Sequence, residues 1–444
     1  MSNTQMLRIL LNKSTWKLTN SSEEMRYTVF TPLILLRRHF TEHGSSTIYA
    51  LSSGPNSFTG EDSAEFHVHG GPAVVTSVLN ALSKLRFQLA LPGEFTKRAF
   101  LNGKIDLTEA EGIGDLIEAE TEKQRKQATN QANGSLRHLY DSWRIVLLNV
   151  LANLEAYVDF SEEHSVTSNI LKDAKTTVQK LSTEILQHLS DGRKGEILRT
   201  GVHVTILGEP NVGKSSLLNL LSRKDAAIVT SSPGTTRDVI ELTTNICGYP
   251  MILADTAGIR NNPENEIEVE GIRKAKKYSK EADFVICVIS AENKIKISLE
   301  IFLRQYKNYL EIDKKRVLTV LNKVDLLKEE EKKNWRKQNV IPISCKTQEG
   351  LKELTNALGE CFREICGDPC TENPVLSHAR YRNHLLHVSD YLELYLQKTT
   401  VPNYDMAISL QDIRNAAREL GKITGSINNE EVLDIIFKNF CIGK

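Results

Sequence analysis

The sequence lacks the features of a membrane-spanning, disulfide-stabilised or strongly basic protein. Its clean apolar stretches, such as residues 32–36, are far too short to cross a bilayer, so no membrane insertion is expected. Seven cysteines, an odd number at irregular spacings, argue against a disulfide framework and indicate a reducing compartment. Lysine plus arginine (56) equals aspartate plus glutamate (56), so the net charge does not point to a nucleic-acid partner, although a local basic face is compatible with it.

A cysteine-based metal site is also missing from the sequence. Cys361, Cys366 and Cys370 lie close together, but no CxxC pair and no matching pair of histidines or cysteines accompanies them. Structural zinc sites need four such ligands at short, regular spacings. We therefore interpret the three residues as ordinary buried or loop thiols.

Acidic residues are absent from the start of the chain. None precedes Glu23, whereas basic, hydroxyl and leucine residues are frequent there. This composition resembles a mitochondrial presequence. The alternative for residues 1–45 is a disordered leader, and the acids from Glu23 to Glu42 weaken the organellar interpretation.

The rest of the chain is too long for one hydrophobic core, and its pattern of apolar and polar residues changes along its length. Residues 47–68 alternate short apolar runs with turn residues, which predicts strands and turns. After Gly103 apolar residues recur at helical spacing, which predicts a bundle of long amphipathic helices. Strands and helices alternate over 202–366, as in a parallel α/β domain, and helices return after Pro369. The simplest interpretation is an α/β domain inserted into a helical one. One predicted helical stripe comprises Leu139, Trp143, Val146, Val150, Leu154 and Val158.

Residues 208–215, GEPNVGKS, match the Walker A pattern between a predicted strand and a predicted helix. The glycines let backbone N–H groups point at phosphate oxygens, and the helix N-terminus adds its dipole. Lys214 is expected to neutralise the β- and γ-phosphates, and Ser215 to bind Mg²⁺. Asn211 is a candidate ligand for a monovalent cation that would act beside the phosphates like an arginine. The predicted nucleotide contacts here are Asn211, Val212, Gly213, Lys214, Ser215 and Ser216.

Three further motifs follow in the order typical of a GTPase. Residues 234–238, GTTRD, supply Thr236, which can reach Mg²⁺, and residues 255–258, DTAG, end a strand near the metal. In residues 322–325, NKVD, the Asp325 carboxylate can accept hydrogen bonds from guanine N1 and N2, which adenine cannot offer. This motif predicts GTP rather than ATP, and a later loop is expected to close over the base. The remaining predicted nucleotide contacts are Thr230, Ser231, Ser232, Pro233, Gly234, Thr235, Thr236, Asp255, Thr256, Ala257, Gly258, Asn322, Lys323, Asp325, Ser344, Cys345 and Lys346.

The residue after the DTAG motif is Ile259, which cannot orient an attacking water as the Ras-type glutamine does. Some other group must position the water. Glu264, Glu266, Glu268 and Glu270 follow at alternate positions. One of the four is expected to act on the water, and the other three to be solvated acids.

With these residues identified, the chain resembles the MnmE family of tRNA-modification GTPases, and most closely its eukaryotic mitochondrial branch. The likeness covers residues 47–444. It is specific at residues 55–71, PNSFTGEDSAEFHVHGG, and at 92–106, PGEFTKRAFLNGKID. It also includes the GEPNVGKSS and GTTRD pair and the ending FCIGK at residues 440–444.

The resemblance implies a multidomain α+β and α/β fold. It comprises a small, truncated folate-binding N-terminal α+β domain, a discontinuous helical bundle and an inserted Ras-like P-loop GTPase domain. Residues 47–54 look like the family's opening strand but run directly into 55–57, which normally come several dozen residues later. The missing stretch would contain a strand and a folate-binding arginine, and Arg8 is not given that role because it lies upstream. The implied divisions are a leader at 1–45, the N-terminal folate-binding and dimerisation domain at 46–104, helices at 105–198, the G domain at 199–367 and helices at 368–444.

The resemblance also implies site residues that spacing does not show. Glu268 matches the general base or water-orienting residue, and Cys441 matches a tail cysteine near the one-carbon site. A 5,10-methylene- or 5-formyl-tetrahydrofolate would be bound by Glu65, Lys104 and Lys444. The implied cation ligands are Asn211, Thr230, Ser232 and Thr235 for K⁺, and Ser215 and Thr236 for Mg²⁺.

Family members form homodimers and act with an MnmG-type flavoprotein, which carries the FAD. The implied reaction modifies C5 of the wobble uridine (U34) of tRNAs in the mitochondrial matrix with a folate one-carbon unit. The product would be taurinomethyl- or carboxymethylaminomethyl-uridine. Two alternatives remain open. One is a ribosome-assembly GTPase of the Era or Der type, although the sequence lacks their KH or second G domain. The other is a modification-deficient isoform that retains GTP hydrolysis.

Overall fold

The computed structural model describes two compact units. One unit comprises residues 1–114, 131–181 and 387–444, and the other comprises 115–130 and 182–386. None of the helices within the described ranges combines the length and apolar character needed to cross a bilayer. The described residues are 4–10, 34–39, 46–69, 71–160, 169–191, 193–209, 211–224, 242–253, 282–292, 316–370, 374–401, 405–427, 433, 436–437 and 440.

The first unit begins with an antiparallel sheet of four strands. These are β1 (Thr4–Leu10), β2 (Ile34–His39), β3 (Ser46–Ser52) and β4 (Ser63–His69). Their order in the sheet is β1-β4-β3-β2, and every neighbouring pair is antiparallel. The expectation of a disordered leader at 1–45 therefore does not hold for β1 and β2, because each pairs along its length with a neighbouring strand.

Two short helices follow the sheet. Helix α1 (Pro72–Lys84) begins with a proline at its first position, where the missing N–H costs nothing, and none of its side chains is buried. Helix α2 (Glu94–Leu101) is entered through Gly93, which has a φ of 68°, a conformation that favours glycine. Phe95 and Phe100 of α2 are buried, and Phe100 packs in a small core with Leu107 and Phe437.

Long helices carry the chain towards the α/β domain. They are α3 (Leu107–Glu118), α4 (Glu122–Ala132), α5 (Ser135–Phe160) and α6 (Asn169–Leu189). The buried stripe of α5 consists of Leu136, Tyr140, Trp143, Leu147, Val150 and Leu154. These positions follow the 3.6-residue period of a helix with one buried face.

The second unit contains a six-stranded sheet with helices between its strands. Its order is β10-β9-β8-β5-β7-β6, parallel except for the antiparallel hairpin of β6 and β7. Its strands read as nearly continuous apolar runs because a parallel sheet is covered on both faces. The elements are α7 (Lys194–Thr200), β5 (Val202–Leu207), α8 (Lys214–Lys224), β6 (Leu242–Ile246), β7 (Tyr249–Leu253), β8 (Phe284–Ser290), β9 (Arg316–Asn322), α9 (Glu329–Arg336), β10 (Val340–Pro342) and α10 (Leu351–Cys366).

The predicted α/β domain is confirmed by this sheet. Its core joins the β5, β7 and β8 side chains to α10 through residues such as Leu354, Leu358 and Phe362. Phe362 lies edge-on to Phe284, with 5.7 Å between the ring centroids. The compact unit is larger than the predicted G domain at 199–367, because it also includes residues 115–130, 182–198 and 368–386.

Two further long helices follow the α/β domain, α11 (Ala379–Lys398) and α12 (Met406–Thr424). Asp405 caps α12 by accepting hydrogen bonds from the N–H groups of Ala407 and Ile408. Helix α12 packs along α5, and an ion pair joins Arg414 to Glu155 at 2.5 Å. The helical segments before and after the α/β domain therefore meet, as an inserted domain requires.

Candidate functional site

The loop between β5 and α8 has the geometry of a phosphate-binding loop. Gly208 has a φ of 158°, and a Cβ atom there would lie 2.3 Å from the Val288 carbonyl oxygen. Gly213 has a φ of 100°, and a Cβ atom there would lie 2.1 Å from the side-chain nitrogen of Asn322. Both positions therefore require glycine. Asn211 lies at the exposed tip of the loop with a φ of 62°, in the left-handed region that asparagine tolerates.

The loop's lysine is held inside the curve of the backbone. The Lys214 ammonium donates hydrogen bonds to the carbonyl oxygens of Gly208 (2.9 Å) and Glu209 (2.7 Å). Burial lowers the pKa of Lys214 from its usual value. Ser215 and Ser216 are exposed on the first turn of α8, where free N–H groups and the helix dipole favour anions. These donors suit a nucleotide phosphate, and the Ser215 hydroxyl suits its Mg²⁺.

A single buried amide joins three loops of the site. Asn322, at the end of β9, is 2% exposed. Its amide nitrogen donates to the Val212 carbonyl oxygen at 2.8 Å. Its amide oxygen accepts from the backbone N–H groups of Lys323 (2.8 Å) and Cys345 (3.0 Å). The phosphate loop, the NKVD loop and the Ser344–Cys345–Lys346 loop are therefore held at fixed separations.

The carboxylate of Asp325 is presented to solvent beside these loops. Ser344 donates its hydroxyl to Asp325 Oδ1 at 2.6 Å, and this hydrogen bond lowers the pKa of Asp325. The side chain is therefore ionised at neutral pH, as an acceptor of two guanine N–H groups must be. Lys323 forms an ion pair with Glu292, and burial raises the pKa of the Cys345 thiol to about 11. Cys345 is therefore a neutral thiol at this site.

Several predicted site residues lie outside the described residues. The side chain of Asn211 has no hydrogen-bond partner within the part of the chain that the structure describes, and its amide oxygen suits a cation. The predicted residues outside the described ranges are Thr230, Ser231, Ser232, Pro233, Gly234, Thr235, Thr236, Asp255, Thr256, Ala257, Gly258, Glu268, Cys441 and Lys444.

Two predicted folate ligands are described in the first unit. Lys104 donates its ammonium to the Pro55 carbonyl oxygen at 2.8 Å. Glu65 lies on β4, with a carboxylate oxygen 3.8 Å from His67 Nε2. The strand register sets Arg8 of β1 directly opposite Glu65, so a residue far upstream in sequence becomes its neighbour across the sheet.

The sequence analysis missed a hydrogen-bond network that joins the two N-terminal signature segments. The Glu61 carboxylate accepts from Arg98 at 2.9 Å and from Asn102 at 3.1 Å. Asn102 also donates to the Thr59 carbonyl oxygen at 2.8 Å. Both partners lie in the 92–106 segment, and Glu61 lies in the 55–71 segment. The sequence did contain one signal for this network: an acidic residue, Glu61, in one signature segment and a basic residue, Arg98, in the other.

A phosphate loop at the end of a parallel-sheet strand, joined to an exposed aspartate in an NKVD loop, defines the class of P-loop GTPases. The family comparisons then specify the branch. The family described as MnmE helical domain matches residues 107–441, and the one described as GTP-binding protein TrmE N-terminus matches residues 4–104. The chain belongs to the MnmE family of GTPases.

Several relatives resemble the chain over most of its length. The mitochondrial 5-taurinomethyluridine-tRNA synthase subunit GTPB3 of Danio rerio is 44% identical over 405 residues, 88% of this chain and 80% of the relative. The Homo sapiens protein of the same name is 44% identical over 400 residues, with the same coverage. The tRNA modification GTPase MnmE of Ehrlichia ruminantium (strain Welgevonden) is 42% identical over 429 residues, 97% of this chain and 93% of the relative.

Replacement of Asn322 by alanine should loosen all three loops together. The substitution removes three hydrogen bonds and leaves backbone groups without partners, which should lower the free energy of unfolding by about 1–3 kcal/mol. Affinity for guanine nucleotides should fall at least about tenfold, because each 1.4 kcal/mol is a factor of ten. Thermal unfolding and titration with a fluorescent GDP analogue measure the two effects. Asn334→Ala, on the exposed face of α9, is the matched control. Unchanged nucleotide affinity in Asn322→Ala would contradict this role.

Asp325→Asn should shift base preference from guanine towards xanthine. An amide offers one donor and one acceptor in place of two carboxylate acceptors, so it opposes a guanine N–H group and matches the xanthine carbonyl. Competition between GTP and XTP at equilibrium should show GTP affinity lower by about 10- to 100-fold, the effect expected for a lost charged hydrogen bond. Base selectivity equal to that of the wild type would refute the assignment of Asp325.

Proposed function

We propose that this chain is the GTPase subunit of an enzyme that modifies C5 of the wobble uridine (U34) of mitochondrial tRNAs. The observation that carries the proposal is the presence of a guanine-nucleotide site and an N-terminal domain of the MnmE family in one chain. The Asn322 amide organises a guanine-nucleotide site, and Glu61 ties together the two N-terminal signature segments. A relative named as a 5-taurinomethyluridine-tRNA synthase subunit matches 88% of the chain, which supports a taurinomethyl product. A carboxymethylaminomethyl group is the alternative product.

In the proposed mechanism, residues of the phosphate loop hold GTP and Mg²⁺. The Lys214 ammonium would move from the loop carbonyls to the β- and γ-phosphates, a short transfer because it already lies inside the loop. Ser215 and Thr236 would bind Mg²⁺, and Asp255 and the Gly258 amide would act near the metal and the γ-phosphate.

The proposed K⁺ site uses Asn211 together with Thr230, Ser232 and Thr235. A monovalent cation there would supply positive charge where it develops between the β- and γ-phosphates. Asn211 suits this role because its side chain is exposed at the loop tip and has no partner among the described residues. Glu268 is proposed to orient the attacking water, since Ile259 has no group that can do so.

The proposed one-carbon site lies in the N-terminal domain. Glu65, Lys104 and Lys444 would bind a methylene- or formyl-tetrahydrofolate, with Cys441 beside the one-carbon group. The register of β1 on β4 supports adding Arg8 to this set, because the pairing of the two strands sets Arg8 opposite Glu65 and an arginine suits a folate carboxylate. This addition replaces the arginine expected in the missing stretch, and it favours a modification-competent protein over a modification-deficient isoform.

The proposed partners are tRNA, an MnmG-type flavoprotein that carries FAD, and a second copy of this chain. The apolar surface around α1 supports the dimer. No side chain of α1 is buried, and Leu85, Leu89 and Leu91 in the following segment are 68%, 73% and 71% exposed. Large apolar side chains that are exposed and grouped along one segment are typical of a surface that another protein covers. The relatives' names support a mitochondrial location, and within the organelle we propose the matrix.

An Era- or Der-type ribosome-assembly GTPase is a weaker explanation. Such a protein would not need the N-terminal domain that matches at residues 4–104. It would also have no use for a helical domain that runs through to residue 441.

Asn211→Ala should abolish stimulation of GTP turnover by K⁺ relative to Na⁺. The alanine has no oxygen to bind a cation, so the extra charge at the phosphates would be lost. Initial rates in matched KCl and NaCl buffers, with light scattering to count protomers, provide the measurement. The wild-type dimer is expected to respond to K⁺, and an Asn211→Ala protein that still responds would refute the cation site.

Cys441→Ser should leave GTP turnover unchanged and eliminate tRNA modification. A serine hydroxyl is far less nucleophilic than a thiolate at neutral pH, so chemistry that depends on the thiol would stop. Nucleoside mass spectrometry of mitochondrial tRNA from cells carrying only the variant measures the product. A normal profile at U34 would demote Cys441 to a structural residue.

A further inference from the structure

The first turn of helix α4 contacts the tight turn between β6 and β7. The backbone N–H of Lys123 donates to the Gly248 carbonyl oxygen at 3.1 Å. The Lys123 ammonium lies 5.6 Å from the centre of the Tyr249 ring, within range of a cation–π interaction. The approach is close, because a Cβ atom on Gly248 would lie 3.3 Å from Lys123 Cγ. A single residue therefore contacts the turn through its backbone and its side chain.

The same lysine also contacts the segment that leaves the α/β domain. Its ammonium forms an ion pair with Asp368 Oδ1 at 2.5 Å, which lowers the pKa of that carboxyl group. Tyr249 strengthens the junction by donating its hydroxyl to the Gly367 carbonyl oxygen at 3.0 Å. The Lys123 side chain is only 17% exposed, so it is held between the turn and the departing chain.

The next residue of α4 contacts the segment that leads into the domain. Gln124 donates its amide to the Arg199 carbonyl oxygen at 3.0 Å, three residues before β5 begins. Arg199 is fixed in turn by Asp115 Oδ1 at 2.7 Å. Two adjacent residues of α4 thus contact the incoming chain, the outgoing chain and the β6–β7 turn.

The position of this hairpin matters for hydrolysis because of what its strands connect. β6 follows the GTTRD segment at 234–238, and β7 runs directly into the DTAG segment at 255–258. β7 is also paired with β5, which ends at the phosphate loop. A one-residue slip of a strand would turn every side chain to the opposite face, so contacts at the turn help to fix the register of β6 and β7.

We propose that Lys123 is a positioning residue for GTP hydrolysis. It fixes the β6–β7 turn against the segments that lead into and out of the G domain, and through the pairing of β7 with β5 it supports the strand that ends at the phosphate loop. The inference rests on the proposed hydrolysis of GTP at the phosphate loop.

A merely structural role for Lys123 would affect the stability of the fold and not the rate of GTP hydrolysis. Asp368 is 56% exposed, and ion pairs with one exposed partner contribute little to stability. Loss of the pair should therefore barely change the thermal midpoint. A positioning role should instead change the rate of the chemical step and leave ground-state nucleotide binding almost unchanged.

The test compares the full-length chain with Lys123→Met, which keeps the aliphatic stem and removes the charge. The expected result is a kcat for GTP lower by about fivefold, or about 1 kcal/mol of barrier. KM and GDP affinity should stay within about twofold. Lys123→Arg should restore most of the rate, because a guanidinium can pair with Asp368 and stack on Tyr249. Lys126→Met is the matched control: it lies on the same helix, half exposed, and should have the wild-type rate.

A second variant and a second measurement distinguish the positioning role from misfolding of the Lys123→Met protein. Asp368→Asn leaves the backbone contact to Gly248 intact and should lower kcat in the same direction as Lys123→Met. Hydrogen exchange of the α4 amides should differ between the GDP-bound and GDP–aluminium fluoride-bound wild type, and this difference should vanish in Lys123→Met. Wild-type kcat and an unchanged exchange difference in both variants would overturn the inference. Failure of the wild type to bind or hydrolyse GTP would instead overturn the proposed nucleotide site.

Discussion

The buried side chain of Asn322 is the contact on which the nucleotide site depends. Three loops that are far apart in sequence meet at its amide group, and each supplies a backbone atom rather than a side chain. Because backbone atoms are present whatever the residue, these hydrogen bonds depend on the side chain of Asn322 and not on the side chains of Val212, Lys323 and Cys345. The amide is also the reason that Gly213 has no room for a side chain. Phosphate recognition and base recognition are therefore parts of one hydrogen-bonded structure.

Much of the α/β domain could be predicted from the sequence because its signals are local. Continuous apolar runs at 202–207, 284–289 and 317–321 predict buried strands, and the structure confirms strands at these places. The helical stripe on α5 was predicted less well. Trp143, Val150 and Leu154 are buried as expected, but Val158 is 38% exposed. Periodicity identifies a helix, whereas the packing partner α12 decides which of two adjacent faces is buried.

The N-terminal sheet shows what the sequence could not supply. Strand order and register in an antiparallel sheet depend on pairing between distant segments, and no local sequence pattern determines either of them. Arg8 and Glu65 are 57 positions apart in the numbering, yet they are register partners. The network at Glu61 was missed for the same reason, since hydrogen bonds between two motifs are invisible when each motif is considered alone. The sequence identifies each residue, but it does not show which residues that residue contacts in the folded protein.

The interleaving of the two units has a consequence for how the protein is made on the ribosome. The second unit ends at Leu386, so its last segment is synthesised before the final 58 residues of the chain. The first unit needs residues from His387 onwards, and the buried stripe of α5 must wait for α12 to be translated. During that interval the apolar face of a 26-residue helix lacks its final partner. The nascent chain should therefore depend on chaperones at α5 more than anywhere in the α/β domain, which can close its core while translation continues.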